Sequence, residues 1–147
     1  KMVPNNTDPF ETAFTVSVDL KGNGVTSGIS AADRAHTISI AINNNHNKDD
    51  IVSPGHTFPL MAWDGGVLER AGHTEASVDI SKLAKKNNSA VICEIMNDDG
   101  TMARVPDLIR FSEKHNIKIG KIVDLIAYRR QKDNFLNKYL LLQLYFL

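Results

Sequence analysis

Through residues 13–19, AFTVSVD, apolar and polar positions alternate, with Phe14, Val16 and Val18 on one side and Thr15, Ser17 and Asp19 on the other. A period of two is the signature of a strand with one buried face. After the glycine-rich KGNGVTSG at residues 21–28 the period changes. Ala31, Ala35, Ile38 and Ile42 recur at helical spacing behind a capping pair, Ser30 and Asp33, in which Asp33 stands in for the usual Glu. A second helical stripe follows at Ala76, Ile80, Leu83 and Ala84, with Thr74 as its cap and a helix over about residues 75–85. Glu75 and Asp79 lie near that helix start, where the dipole favours acids. Residues 90–96 form an apolar run that predicts a strand buried on both faces, with Ile92, Glu94 and Met96 sharing one of them. Pro106 suits the first turn of a further helix that turns Leu108 and Phe111 inward. Residues 117–119 read as a short strand, and Ile122, Leu125, Ile126 and Arg129 as one side of a last helix. Strands and helices in this order predict an α/β or α+β chain, a mixed sheet flanked by helices.

Breakers divide these segments. Residues 1–12 are a loop rich in Pro and Asn, and NNNHNKDD at residues 43–50 is a polar loop in which His46 is solvated. Residues 52–63, VSPGHTFPLMAW, are apolar but broken by Pro54-Gly55 and Pro59. Asn97-Asp98-Asp99-Gly100 is a turn. The closing FLNKYLLLQLYFL is strongly apolar yet shorter than the ~20 residues that span a bilayer, which leaves a packed helix, a partner surface or an aggregation-prone end.

Composition narrows the picture only a little. At 147 residues the chain suits one domain with a modest core, and 42% hydrophobic with 23% charged residues is ordinary for a globular protein. Lysine plus arginine equals aspartate plus glutamate at 17 each, so net charge points to neither a nucleic-acid nor a membrane partner. The single cysteine, Cys93, cannot form an internal disulfide, which favours a cytoplasmic setting. No GxGxxG, Walker loop, HExxH or CxxC motif is present, and the even spacing of His36, His46 and His56 matches no metal-ligand rule.

The chemistry concentrates in residues 64–79, DGGVLERAGHTEASVD. Arg70, Ala71, Gly72, His73 and Thr74 bring a cation, an imidazole and a hydroxyl to a helix start, whose free N–H groups make a natural phosphate seat. A capped surface helix is an equally good reading of those residues taken alone. Glu94 is a carboxylate in an apolar run, suited either to general-base work or to an ion pair with an arginine such as Arg104. His56, directly after Pro54-Gly55, is either a hydrogen-bonded structural residue or a proton carrier. Thr26, Ser27 and Gly28 offer hydroxyls and N–H groups to an oxyanion, though a plain turn accounts for them as well.

FTVSVD, GVTSGISAADRA, SPGHTFPL, GGVLERAGHTEASVD, VICEIMNDDGTMAR and IVDLIAYR together resemble the 3,4-dihydroxy-2-butanone 4-phosphate synthase family of riboflavin biosynthesis. The resemblance covers residues 13–129 as one synthase domain, α+β with a mixed sheet flanked by helices and three-layer-like, and leaves 130–147 as an atypical apolar tail. It implies a homodimer with its active sites at the dimer interface. It also implies a magnesium-dependent (or manganese-dependent) lyase that converts D-ribulose 5-phosphate into 3,4-dihydroxy-2-butanone 4-phosphate and formate. Position by position, His73 matches a metal-ligating histidine, Arg70 to Thr74 a substrate-binding run, Glu94 an essential, substrate-contacting carboxylate, and His56 an essential histidine.

The departures shape a second expectation. Family members carry an acidic loop ahead of the matched run that supplies a further magnesium ligand, and nothing in residues 1–14 resembles it. Thr26-Ser27 stands where many members have two threonines, and NNNHNKDD replaces a short linker. The alternative expectation is therefore a truncated, catalytically impaired remnant acting at most as a dimerising module.

Overall fold

The structure is a computed structural model that describes residues 1–133 apart from Asn23, Asn44, His46 and Asn47. The loop around His46 and most of the apolar tail, residues 134–147, lie outside the described residues. The chain is α+β, and it divides into two compact units, residues 1–62 and residues 63–147.

In the first unit, β1 (Val18–Leu20), α1 (Ala31–Ala41) and β2 (Ile51–Thr57) follow one another, with a 3-10 turn at Lys48–Asp50 leading into β2. Where a mixed sheet is expected, the described residues hold a two-stranded antiparallel one. Alternation continues N-terminally as extended chain: Phe14 bridges to Leu60 and Thr15 to Met2. The register pairs Leu20 with Ile51, Asp19 with Val52, then Val18 with Thr57, so residues 53–56 bulge out of the ladder. Ser53 Oγ donates to the Ser17 carbonyl at 2.8 Å and Gly55 N–H to Ser17 Oγ at 3.1 Å, which anchors the bulge.

Ser30 caps α1 as expected, accepting the Asp33 N–H at 3.0 Å. The face that α1 buries is a different one from the apolar stripe. Ala31, Ala35 and Ile42 are exposed, whereas Asp33 and Thr37 are buried. Thr37 is fully buried because its hydroxyl accepts the Leu20 N–H of β1 at 3.0 Å, a bond that an apolar residue there could not make.

The second unit contains a 3-10 turn at Gly66–Leu68, α2 (His73–Leu83), α3 (Val105–His115) and α4 (Ile122–Lys132). α2 begins two residues earlier than expected, and its cap is Gly72 with no side-chain bond; Thr74 lies inside the first turn and is buried. Its stripe is also displaced: Ala76 is buried, but Ile80, Leu83 and Ala84 are exposed. The buried positions are Thr74, Glu75, Ala76 and Asp79. In α4 the four residues expected on one side, Ile122, Leu125, Ile126 and Arg129, are all half-buried. α3 starts at Val105-Pro106, with Leu108 and Phe111 half-buried.

Asp79 explains how α2, α4 and the 3-10 turn hold together. Its Oδ2 accepts the Val67 N–H at 2.9 Å and the Arg129 guanidinium at 2.7 Å. Arg129 also donates to the Gly65 carbonyl at 3.0 Å and to Asp133 at 2.6 Å. Gly66 has φ +62°, and a Cβ there would run into the Asp79 carboxylate and the Arg129 guanidinium, so the glycine lets the turn close onto the pair. Burial works against the charge on Arg129, but Asp79 and Asp133 outweigh it and raise the guanidinium's already high pKa.

The apolar run at residues 90–96 is the main departure. Only Met96 pairs, bridging to Met102, and Ala103 N–H donates to the Ile95 carbonyl at 2.9 Å. Val91, Ile92 and Met96 are exposed, Val91 by 70%. Residues 117–119 likewise form no strand, and Ile117 and Ile119 are exposed. An apolar run predicts a strand only where another strand satisfies its N–H and C=O groups, and among the described residues none does so. The turn after this run is as expected, with Gly100 N–H bonded to the Asn97 carbonyl at 2.9 Å. Among the described residues no helix is long and apolar enough to cross a membrane.

Removing the cation from a buried pair leaves an uncompensated carboxylate. Arg129→Ala should cost about 3 kcal/mol of unfolding free energy in urea titration. Arg129→Lys should cost less, because it keeps the charge and loses only the forked contact.

Candidate active site

His56 sits on the bulge of β2, and the bulge aims it back along β1. Its backbone N–H donates to Asp19 Oδ1 at 2.9 Å and its ring Nδ1 lies 2.7 Å from Asp19 Oδ2. The Asp19 side chain is 12% exposed and the His56 side chain 46% exposed, so a buried carboxylate backs an imidazole open to solvent. This corrects the alternation reading, which turned Asp19 outward with Thr15 and Ser17. The irregular register between Val18 and Asp19 breaks the two-residue period at that point, and Asp19 faces the bulge instead. The backbone N–H of His56 is the main cause that holds the Asp19 carboxyl below its ordinary value of 3.8.

The loop before α1 closes against the same carboxylate. Asp33 Oδ2 accepts the Thr26 hydroxyl at 3.0 Å, the Gly28 N–H at 3.0 Å and the Thr26 N–H at 3.3 Å. The Thr26 hydroxyl and the Thr26 and Gly28 N–H groups that could have met an oxyanion are thus directed at Asp33, whereas the Ser27 hydroxyl accepts the Ile29 N–H at 3.5 Å. Gly28 has φ +80°, and a Cβ on it would collide with the Asp19 carboxylate. Burial works against ionisation of Asp33, but the bonds from Thr26, Gly28 and Ser30 win and hold its carboxyl below 3.8.

In the second unit Arg70 pairs with Glu75 at 2.7 Å, and Glu75 Oε1 also accepts the Trp63 N–H at 3.2 Å. Glu75 is fully buried, where the sequence reading left it as a dipole-favouring acid. The spacing of Glu75 and Asp79 was the available signal: four residues apart, two acids share one helix face. Ala71 is exposed and Gly72 half-buried ahead of α2; His73 is its first residue and is exposed, with Thr74 buried behind it. First-turn N–H groups have no partner within their own helix, so the run keeps the physical basis of an anion seat. Glu94 is exposed on an extended segment, in contrast to the buried position expected, and among the described residues it forms no ion pair with Arg104 or any other cation.

Among the described residues no group of three or more His, Cys, Asp or Glu side chains could hold a metal ion. His73 supplies one nitrogen, which by itself cannot complete the near-octahedral, largely oxygen shell that magnesium takes.

Fold and side chains define a class: an α+β chain with an imidazole backed by a carboxylate and a helix start bearing cation, imidazole and hydroxyl. The family model described as 3,4-dihydroxy-2-butanone 4-phosphate synthase matches residues 1–128, and the chain belongs to that family. It is 60% identical over 129 residues to a 3,4-dihydroxy-2-butanone 4-phosphate synthase of Pseudomonas syringae pv. tomato, covering 88% of this chain and 35% of the relative. It is 58% identical over 138 residues to the riboflavin biosynthesis protein RibBA of Aquifex aeolicus, covering 93% of this chain and 34% of the relative. The chain therefore spans about a third of the length of these relatives. Among solved structures it is similar to RibBX, a two-domain 3,4-dihydroxy-2-butanone 4-phosphate synthase from A. baumannii, with TM-score 0.81 and 50% identity over 88% of this chain and 38% of that one. It is also similar to a 3,4-dihydroxy-2-butanone 4-phosphate synthase in complex with two magnesium ions, with TM-score 0.79 and 34% identity over 90% of this chain and 67% of that one.

The lowered Asp33 carboxyl sets a pH dependence. Its contribution to stability is complete above the ordinary value of 3.8 and is lost as pH falls through the lower folded value, because the unfolded chain binds the proton first. Asp33→Asn should therefore lower stability at neutral pH and make acid unfolding below about pH 4 less steep, as followed by circular dichroism.

Proposed function

We propose that this protein is a magnesium-dependent lyase that converts D-ribulose 5-phosphate into 3,4-dihydroxy-2-butanone 4-phosphate and formate in riboflavin biosynthesis, acting in the cytoplasm as a homodimer. The observation that carries this reading is the carboxylate-backed His56 imidazole in a chain whose family match spans residues 1–128. The conversion needs protons removed from and returned to carbon and oxygen, and an imidazole is the side chain suited to both at neutral pH. In this reading residues 13–129 are the synthase domain.

Arg70, Ala71, Gly72, His73 and Thr74 hold the phosphate and sugar oxygens, since a helix start with an arginine beside it favours an anion. Glu94 contacts the substrate as the base that takes the proton next to the carbonyl. Exposure leaves it within reach of a ligand. His56 carries protons during the loss of water and the release of formate. The water lost before the carbon shift returns as formate leaves, so the sequence needs neither oxidant nor reductant. His73 is the residue assigned to the metal. Magnesium belongs to the reading because a solved relative holds two such ions, and manganese is the alternative divalent ion. The described donors do not complete a shell, and no step above depends on it. Exposed Val91, Ile92, Met96, Ile117 and Ile119 give a second copy apolar surface to cover.

The test is formate release from D-ribulose 5-phosphate by the purified protein with magnesium. One formate per substrate is expected, abolished by a chelator. Glu94→Gln and His56→Asn should each lower kcat by about 100-fold or more with little change in KM. A folded protein that releases no formate overturns the reading.

A further inference from the structure

We propose that Asp19 is a positioning residue for His56: its carboxylate fixes the imidazole in the Nδ1–H tautomer and so makes Nε2 the nitrogen that exchanges protons with the substrate. The catalytic consequence rests on the synthase reading; the tautomer itself does not.

An ionised carboxylate only accepts hydrogen bonds. Asp19 is held ionised at neutral pH, chiefly by the backbone N–H of His56. At 2.7 Å from Oδ2, ring Nδ1 must therefore be the donor. In a neutral imidazole a proton on Nδ1 leaves Nε2 as the acceptor. The carboxylate has no room to turn away. Oδ1 is engaged by the His56 N–H at 2.9 Å, and the Gly28 backbone packs against the same carboxylate. Asp33 holds that backbone by accepting the Gly28 N–H at 3.0 Å. Two carboxylates and one glycine therefore fix the orientation of one ring, while nearly half of the His56 side chain, 46%, remains open to solvent. A second group that fixes the tautomer of a catalytic imidazole also stabilises the imidazolium formed during proton transfer.

Asp19→Asn distinguishes this role from simple support, because the replacement is nearly isosteric and keeps one acceptor of two. The His56 backbone N–H can only donate, so it takes the amide oxygen. The amide NH₂ then faces Nδ1, which must become an acceptor, and the ring is driven to the Nε2–H tautomer. Two-dimensional 1H–15N spectra of the imidazole in the full chain read this directly. Wild type should show a protonated Nδ1 at a pH where the ring is neutral, and Asp19→Asn a protonated Nε2, with circular dichroism unchanged. In formate release, kcat should fall at least about tenfold while KM stays within about twofold. A wild-type ring protonated on Nε2 overturns the proposal without any variant. So does an Asp19→Asn protein with an unchanged tautomer, or an inverted tautomer with unchanged kcat. If wild type shows the Nδ1–H form yet releases no formate, the synthase reading fails and the assignment of the tautomer stands.

Discussion

A buried carboxylate must find donors, and that requirement organises both compact units of this chain. Apart from Gly28 and Gly66, the buried positions among the described residues are Leu20, Val67 and Ala76 on the apolar side and Asp19, Asp33, Thr37, Thr74, Glu75 and Asp79 on the polar side. Polar side chains therefore decide how the segments meet. In residues 1–62, Asp33 gathers Thr26 and Gly28, and Asp19 gathers both the backbone and the ring of His56. In the second unit, Glu75 gathers Arg70 and Trp63, and Asp79 gathers Val67 and Arg129. Each bond is directional, so each sets an angle as well as a separation.

This arrangement links stability to the chemistry of the site. The carboxylates that hold the loops are the same groups, or direct neighbours of the groups, that position the functional candidates. Asp33 holds Gly28, Gly28 packs against Asp19, and Asp19 holds His56. Glu75 holds Arg70 at the start of α2, one turn from His73 and Thr74. A change in any of these carboxylates therefore acts on the packing of its unit and on the placement of the candidate site residues beside it. The apolar surface behaves differently. Val91, Ile92, Met96, Ile80 and Leu83 are exposed, and they contribute little to the interior of the described units.

The sequence by itself determined the local elements and the family. Ser30 ahead of α1, Pro106 in the first turn of α3 and the turn at Asn97–Gly100 are all where local chemistry puts them, because caps and turns are satisfied within a few residues. The shared side of α4 was legible for the same reason, its four residues recurring at helical spacing. RAGHTEA and CEIMNDDGTMAR carried the family resemblance, which the match over residues 1–128 bears out. Only the tertiary structure decided which faces are covered and which charges meet. Periodicity marks a face as apolar but does not say that anything lies against it, so the apolar stripes of α1 and α2 are largely exposed, as is the run at residues 90–96 that was expected to be buried. Asp19 meets His56 across 37 residues and Asp79 meets Arg129 across 50, and no local pattern encodes a bond over such a span. A bulge moves a side chain to the other face of a strand by adding residues to one side of the ladder, and it took the paired register to reveal one opposite Asp19.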